Sequence, residues 1–384
     1  MNKRNEPYIF LHQRIITSYR IPVFEKLLDR IKGMIIVYGK SQLNSSLPGK
    51  ERPNTDRYVH IKNYYLFKNN DIFFAQIFKY IFKYNPKVII TQYSFSNLII
   101  ILLFMLRPIL KYKIIGWNHG WDRRKGFHPS ISLKDRARIY MIRKADAMIF
   151  YSNDSKQVFS NYTDRNKLFV ANNTLDTVGF LNLKTKLSKI GRDRIKKELD
   201  IHSRYNLIFI ARLEKAKNPL KLLSIFKILI KKLKNVSLHI IGSGPLESNL
   251  KEIVIRDNIE NIKFYGAIYN DEFTGKMLFC SDIMIIPRWV GLSIIHAYCF
   301  GCPIVTFDKD YHPPEIEYLK HNKTGYNLWD KTESEIVTRI ITYLSDRELQ
   351  RKFKSNIDKI IENDASVKEM VNGVSNAVKY CLSK

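Results

Sequence analysis

The sequence predicts an α/β protein built from two doubly wound parallel sheets in tandem. Three observations carry that prediction. Short apolar runs alternate with longer segments of helical periodicity, the pattern of successive strand–helix units. The alternation pauses at a Lys/Arg-rich stretch near residues 184–198 and then restarts. The length, 384 residues, is that of about two domains.

In the first half, residues 8–11 read as a strand. Pro22 marks the start of a helix reaching residue 29, because proline's fixed φ suits a first helical turn. Strands are expected over 34–37 and, more weakly, over 58–61. An aromatic helix is expected over 71–84, where Phe74, Phe78 and Phe82 recur every fourth residue. Strands at 88–91, 112–117, 147–151 and 167–171 then alternate with helices at 95–106, 133–145 and 154–161. The second half repeats the scheme. Strands are expected at 206–211, 237–241, 262–265, 282–286 and 303–306, with helices at 219–233, 246–256, 271–278 and 292–300 between them. Helices fill the remainder. The expected domains are 1–182 and 183–365, with a helix over 366–384 returning to the first. Ligands of such sheets bind beyond the carboxyl ends of the strands, so a cleft between the two sheets is the expected site.

Composition narrows the function. An apolar fraction of 45%, with 22 Phe and 22 Tyr, supplies real cores and excludes global disorder. The net charge of +28 is the outlier, and it asks for a polyanionic partner: nucleic acid, anionic lipid or phosphorylated ligands. A Lys/Ile/Asn-rich chain from an AT-rich genome would also carry such a charge. Residues 1–180 hold 30 Lys and Arg against 12 Asp and Glu, so the excess is concentrated there. No helix-turn-helix, RRM or zinc signature ties it to nucleic-acid recognition, and no nucleic-acid partner is expected. Cys280, Cys299, Cys302 and Cys381 are too few and too apolar in setting for a disulfide framework. The Cys299-x-x-Cys302 pair lacks a second pair or a nearby His, so no metal site is expected. The longest apolar run covers 98–106, well short of the ~20 residues needed to span a bilayer. A cytoplasmic protein, peripheral at the inner face of the plasma membrane, is expected.

Three segments of the second half carry candidate chemistry. In IARLEKAKNP, Arg212 follows the first strand and Lys217 precedes the next helix, a spacing suited to clamping a diphosphate. In IIGSGPLESNL, Gly242 and Gly244 permit a tight turn between strand and helix, though without the third glycine of a dinucleotide fingerprint. In MIIPRWVGLSIIHAYCFGCPIV, Gly291 opens a helix whose N-terminus is a seat for phosphate, and Gly301 closes it.

These pieces, in this order, resemble the donor-binding domain of family 4 glycosyltransferases, which have the GT-B fold of two Rossmann-like domains. The matching segments are ARLEKAKNPLKLL, HIIGSGPLESNL, IKFYGAI, CSDIMIIP, GLSIIHAYCFGCPIV and PPEIEYLKHNKTGY. YRIPVFEKL, IGWNHG, ADAMIFYSN and LFVANNTLD resemble segments of the acceptor domain. The resemblance implies a nucleotide-sugar donor, UDP- or GDP-linked, and catalysis by Arg212, Lys217 and His119. Arg212 and Lys217 would hold the departing diphosphate. His119 would point into the cleft beside the transferred sugar. Donor binding would involve Gly242, Gly244, Arg288, Gly291, Leu292, Ser293, His296 and Glu315. Asn173 and Asp176 match a turn near the hinge. Retaining transfer with no metal cofactor is implied, the acceptor hydroxyl attacking from the face that the leaving group quits.

One departure stands out. Where the family usually has two glutamates eight positions apart, this chain has Arg288 and His296. An imidazole can still hydrogen-bond a ribose hydroxyl, and GLSIIHA resembles a histidine-bearing branch found among polysaccharide-building enzymes. Arg288 has three candidate roles: meeting a sugar carboxylate, meeting the diphosphate, or facing solvent. Glu315 or Glu317 could supply the missing carboxylate. Lys79, Lys83, Arg123, Arg124 and Lys125 are expected on the membrane and acceptor side. There they would attract anionic headgroups and a lipid-linked glycan acceptor of capsule, O-antigen or exopolysaccharide assembly. The alternatives are a GT-B partner subunit that has lost catalysis and, behind it, a basic nucleic-acid-binding protein.

Overall fold

The computed structural model describes residues 7–40, 56–66, 72–309 and 312–384. Their contacts divide the chain into two compact units, residues 1–176 with 367–384, and residues 177–366.

The first unit opens with β1 (Ile9–Gln13), α1 (Ile21–Arg30), β2 (Met34–Tyr38) and β3 (Tyr58–His60). β4 (Asn63–Tyr65), β5 (Phe73–Ala75), α2 (Phe78–Tyr84), β6 (Val88–Gln92) and α3 (Ile99–Leu110) follow. β7 (Lys113–Asn118), α4 (Leu133–Lys144), β8 (Ala147–Phe150), α5 (Asn153–Ser160) and β9 (Leu168–Val170) complete this stretch. Seven strands form one sheet in the order β3-β2-β1-β6-β7-β8-β9, every pair of them parallel. IFLHQ and MIIVY are buried almost along their whole length, and their residues are apolar apart from His12 and Gln13, because both faces of the sheet are covered.

The second unit contains α6 (Thr177–Ile190), α7 (Arg192–Glu198), β10 (Tyr205–Ile210), α8 (Pro219–Lys232) and β11 (Val236–Ile241). It continues through α9 (Glu247–Arg256), β12 (Ile262–Phe264), α10 (Asp271–Phe279), β13 (Ile283–Ile285) and α11 (Ser293–Cys299). It closes with β14 (Ile304–Thr306), β15 (Gly325–Asn327), α12 (Glu333–Ser345) and α13 (Arg347–Asn363). Its parallel sheet runs β12-β11-β10-β13-β14-β15. α14 (Val367–Leu382) then rejoins the first unit, where Met370, Val374 and Val378 pack into the same core as Leu11, Val23 and Leu27.

Both sheets are doubly wound, so each has a topological switch point where the strand order reverses. In the first this lies between β1 and β6, in the second between β10 and β13. Crevices form there at the carboxyl ends of the strands.

Several elements differ from the sequence reading. The expected 71–84 helix is a strand followed by a shorter helix: β5 pairs antiparallel with β4, with Ala75 opposite Asn63. Phe73 and Ala75 are buried while Phe74 is half-buried, so the period there is two. Phe74 and Phe78 do stack, at 6.1 Å between centroids, but across the strand–helix join. Asp71 lies outside the described residues. α3 runs through Pro108 to Leu110 instead of stopping at 106, and Lys111 closes it in the left-handed conformation. β15 falls where only helices were expected. Its GYN sequence has no apolar run, but at Gly325 (φ +156°) an added Cβ would lie 2.1 Å from the Ile304 carbonyl oxygen, so only glycine fits the strand there. The expected domain boundary after residue 182 falls inside α6, whose Phe180 stacks on His296 of the second unit.

Candidate functional site

In the second unit the switch point gathers most of the predicted donor residues. β10 ends at Ile210 and the chain passes through Ala211–Leu213 into a single turn of 3-10 helix, Lys215–Lys217. Asn218, left-handed at φ 50°, turns the chain into α8, whose first residue is Pro219. The two glycines after β11 explain how this segment is held. A Cβ on Gly242 would lie 1.9 Å from the Ala211 carbonyl oxygen, and one on Gly244 would lie 2.4 Å from that of Leu213. Without side chains the loops zip together, Leu213 N–H donating to the Ser243 carbonyl and Leu246 N–H to the Leu213 carbonyl, both at 3.0 Å. Gly242 and Gly244 thereby fix the stretch that carries Arg212.

Arg212 is exposed and only loosely paired, its Nε 3.7 Å from Glu214 Oε2. Lys217 is the opposite case. Its Nζ donates to the Trp289 carbonyl at 2.5 Å. Burial pushes its pKa down to about 8, against the pull of Glu214 and Glu315. A largely desolvated ammonium held by a neutral carbonyl still seeks an anion. Trp289 takes a left-handed backbone, φ 58°, to present that carbonyl.

The loop bearing Trp289 is anchored by residues that sequence reasoning passed over. Val290 N–H donates to Nδ1 of buried His312 at 3.1 Å. The other ring nitrogen lies 2.7 Å from the Asp308 carbonyl. These partners fix a neutral tautomer with the proton on Nε2, and burial lowers the His312 pKa accordingly. The Asp308 carboxylate accepts from Asn218 at 2.9 Å, Lys221 at 3.1 Å and Arg288 at 3.0 Å. Arg288 therefore meets a carboxylate of its own chain, an arrangement outside the three roles weighed for it. The Phe307-Asp308 pair that follows β14 was the available signal for this hub: an acid just past a strand end in a strongly basic chain.

Gly291, Leu292 and Ser293 form the turn into α11, a helix of seven residues. His296 lies on it with its ring stacked on Phe180 at 4.4 Å. Its Nε2 is shut off from solvent without a hydrogen-bond partner among the described residues, and burial lowers its pKa to about 4. Glu315 is buried in the short 3-10 helix Pro314–Tyr318, within electrostatic reach of Lys217. Arg212, Lys217, Arg288 and Glu315 thus converge on one end of the sheet, while His296 sits against α6. Cys299 and Cys302 are buried thiols; only Cys299 is helical, Cys302 lying in the turn before β14.

In the first unit a cavity of about 470 Å³ lies at the carboxyl ends of β1, β6 and β7. Asn118 shapes it: its amide donates to the Tyr93 carbonyl and its oxygen accepts from Gly120 N–H. Gly120 has φ +93°, and a Cβ there would approach Ser155 Oγ to 2.8 Å, so the GWNHG turn needs that glycine. The turn delivers His119 to the cavity, stacked on Tyr151 at 4.3 Å. His119 as a residue is solvent-exposed. The dense protein around it, and then the Arg20 and Arg123 guanidiniums, push its pKa down to about 4, so it is neutral at pH 7. The lining includes Arg14, Arg20, Lys134 and Arg138 and, among the described residues, no carboxylate; Arg138 is paired from behind with buried Asp135. Of these cations, Lys134 and Arg138 belong to the basic run of residues 123–138 that the sequence offers as an anion-attracting cluster, whereas Arg14 and Arg20 carried no such expectation.

The predicted membrane-side cations separate. Arg123 is internal: it bonds Asp154 at 2.5 Å and Ser155 Oγ at 3.2 Å, and lies over the Trp121 ring. Arg124 is exposed and pairs with neighbouring Asp122. Lys125, Lys79 and Lys83 are exposed. Among the described residues, no helix is long and apolar enough to cross a membrane.

Two doubly wound parallel sheets in tandem are the architecture of GT-B glycosyltransferases. The fold agrees closely with Anabaena HepE, whose crystal structure holds UDP: the TM-score is 0.68 at 14% identity over 97% of this chain and 99% of that one. Residues 191–360 match the family Glycosyl transferases group 1. An uncharacterized glycosyltransferase of Methanocaldococcus jannaschii is 24% identical over 335 residues, covering 80% of this chain and 79% of the relative. The poly(glycerol-phosphate) alpha-glucosyltransferase of Bacillus subtilis is 26% identical over 162 residues, 41% of this chain and 24% of that protein. The protein carries a group 1 domain and is a glycosyltransferase.

Proposed function

We propose that the protein transfers a sugar from a UDP- or GDP-linked donor, held by the second unit, to a phosphate-bearing, lipid-linked glycan acceptor held by the first. The observation that carries this reading is the combination of exposed Arg212 with half-buried, desolvated Lys217 at the switch point. As the glycosidic bond breaks, negative charge grows on the bridging oxygen of the diphosphate. Two preorganised cations there lower the barrier without assistance from a metal. In the retaining mechanism, the acceptor oxygen bonds the anomeric carbon on the face that the diphosphate leaves, and the hydroxyl proton passes to the leaving phosphate oxygen. His296 replaces the usual ribose-gripping glutamate through its unsatisfied Nε2. Arg288, held by Asp308, sets the position of Lys221 and Asn218 beside it.

The acceptor class rests on the first unit's cavity, whose lining carries Arg14, Arg20, Lys134 and the Asp135-paired Arg138 and, among the described residues, no acid. The name of the Bacillus subtilis relative, a poly(glycerol-phosphate) alpha-glucosyltransferase, also points to a phosphate polymer. Neutral His119 offers the acceptor a hydrogen-bond partner. Peripheral attachment at the inner face of the plasma membrane, in capsule, O-antigen or exopolysaccharide assembly, suits such an acceptor.

The test is a thermal-shift screen of UDP-, GDP- and ADP-sugars, followed by release of nucleoside diphosphate with the best donor. Arg212→Ala and Lys217→Ala should each reduce turnover by ~10² or more with unchanged circular dichroism. Turnover near that of the unaltered protein in both variants would refute the clamp.

A further inference from the structure

Beside the cationic cavity the first unit has a second depression of about 590 Å³ between α3 and α4. Its character is different: Phe95, Leu98, Ile101, Phe104, Met105 and Tyr140 supply most of the lining. α3 turns Ile101, Met105 and Ile109 outward at successive four-residue steps, with 62%, 66% and 73% exposure, and Tyr140 on α4 is 62% exposed. Apolar side chains this large, aligned on one helix face and left in water, mark an interaction surface. The two depressions adjoin, since Ser94, Phe95 and Met141 line both. At their junction Lys134 and Arg138 lie within about 6 Å of the Phe95 ring centroid, at 5.8 and 5.9 Å. Positive charge thus gives way directly to apolar surface.

A cationic pocket whose lining carries no carboxylate, set directly beside an apolar groove, matches one kind of ligand: a phosphate carrying a hydrocarbon chain. We infer that the α3–α4 groove binds the chain of a single lipid phosphate whose phosphate group occupies the cationic cavity. This rests on the reading of the cavity as the acceptor site and adds to it the way in which the lipid is recognised. Cations hold the headgroup, and burial of successive methylenes along Ile101 and Met105 gives affinity that grows with chain length.

Isothermal titration calorimetry with ethyl phosphate and dodecyl phosphate, both below micelle-forming concentration, tests it. Dodecyl phosphate should bind at least ~100-fold more tightly than ethyl phosphate, since only a few buried methylenes suffice for that factor. The double variant Ile101→Gln/Met105→Gln should reduce that ratio to within roughly threefold of unity while leaving ethyl phosphate affinity unchanged. Both positions are solvent-exposed and both replacements neutral, so neither folding nor charge confounds the comparison. Equal affinity for the two ligands in the unaltered protein overturns the groove alone. So does a ratio unaffected by the double variant, or attachment to intact phosphatidylglycerol vesicles with no binding of monomeric dodecyl phosphate. No binding of ethyl phosphate, dodecyl phosphate or vesicles overturns the acceptor reading of the cavity along with it.

Discussion

Replacing Lys217 by methionine should make the second unit more stable against pH in a specific way while removing activity. Burial lowers the Lys217 pKa from 10.5 to about 8. That difference corresponds to about 3 kcal/mol between the two protonation states. The sign follows from linkage. Between the two pKa values the unfolded chain holds a proton that the folded chain has released, so stability rises with pH across that window. The full cost is present below pH 8. Methionine keeps the length and apolar stem of lysine and cannot titrate. The stability of Lys217→Met relative to the unaltered protein should therefore be highest below pH 8, and that advantage should shrink by up to about 3 kcal/mol toward pH 10.5. Leaving the Trp289 carbonyl without its donor adds an offset that does not vary with pH. Urea denaturation at pH about 7, 8.5 and 10, followed by circular dichroism, measures the difference directly. Turnover should fall by ~10² or more at every pH. Stability curves that run parallel from pH 7 to 10 would refute the claim that a strained cation is stored at this site.

Three further outcomes are expected. Gly242→Ala should cost about 3 kcal/mol or more in urea denaturation, because φ is +148° and the new methyl would sit 1.9 Å from the Ala211 oxygen; a cost below 1 kcal/mol on the same measurement would mean that the two loops are free to part. Asp308→Ala removes the acceptor shared by Asn218, Lys221 and Arg288 and should lower stability by about 2 kcal/mol, read as a shift in denaturation midpoint at constant slope. His12, His239 and His296 each have a pKa lowered to about 4 by burial, so the folded state resists protonation. Their stabilising effect is complete above pH 6.5 and is lost progressively toward pH 4, and a denaturation midpoint that stays flat over that range would contradict it.

Much of this architecture was readable because buried parallel strands announce themselves as unbroken apolar runs. VII, KIIGW and AMIF needed no context to be placed. β5 was misread for a physical reason: Phe74 and Phe78 lie four apart in a segment where a strand passes into a helix, and single-sequence periodicity cannot separate the two. β15 was missed because Gly325 earns its place by backbone proximity to Ile304, which leaves no hydropathic trace. At the candidate site, the position of Arg212 and Lys217 just past a strand end was legible, because the apolar run that becomes β10 marks that end. Asp308 and His312 were not, since they act through long-range bonds to residues about 20 positions or more away. Arg123 was misassigned to the surface because its partners, Asp154 and Ser155, lie on the next helix.

The return of α14 to the first unit has a consequence for biosynthesis. Met370, Val374 and Val378 complete the core against α1, and Gly373 fits because its missing side chain leaves room for the Val170 carbonyl, 2.0 Å from where a Cβ would lie. During translation, residues 177–366 are made in full before this helix exists. The domain whose strands emerge earliest must therefore wait, one flank of its sheet uncovered, until its neighbour has been synthesised and is free to fold.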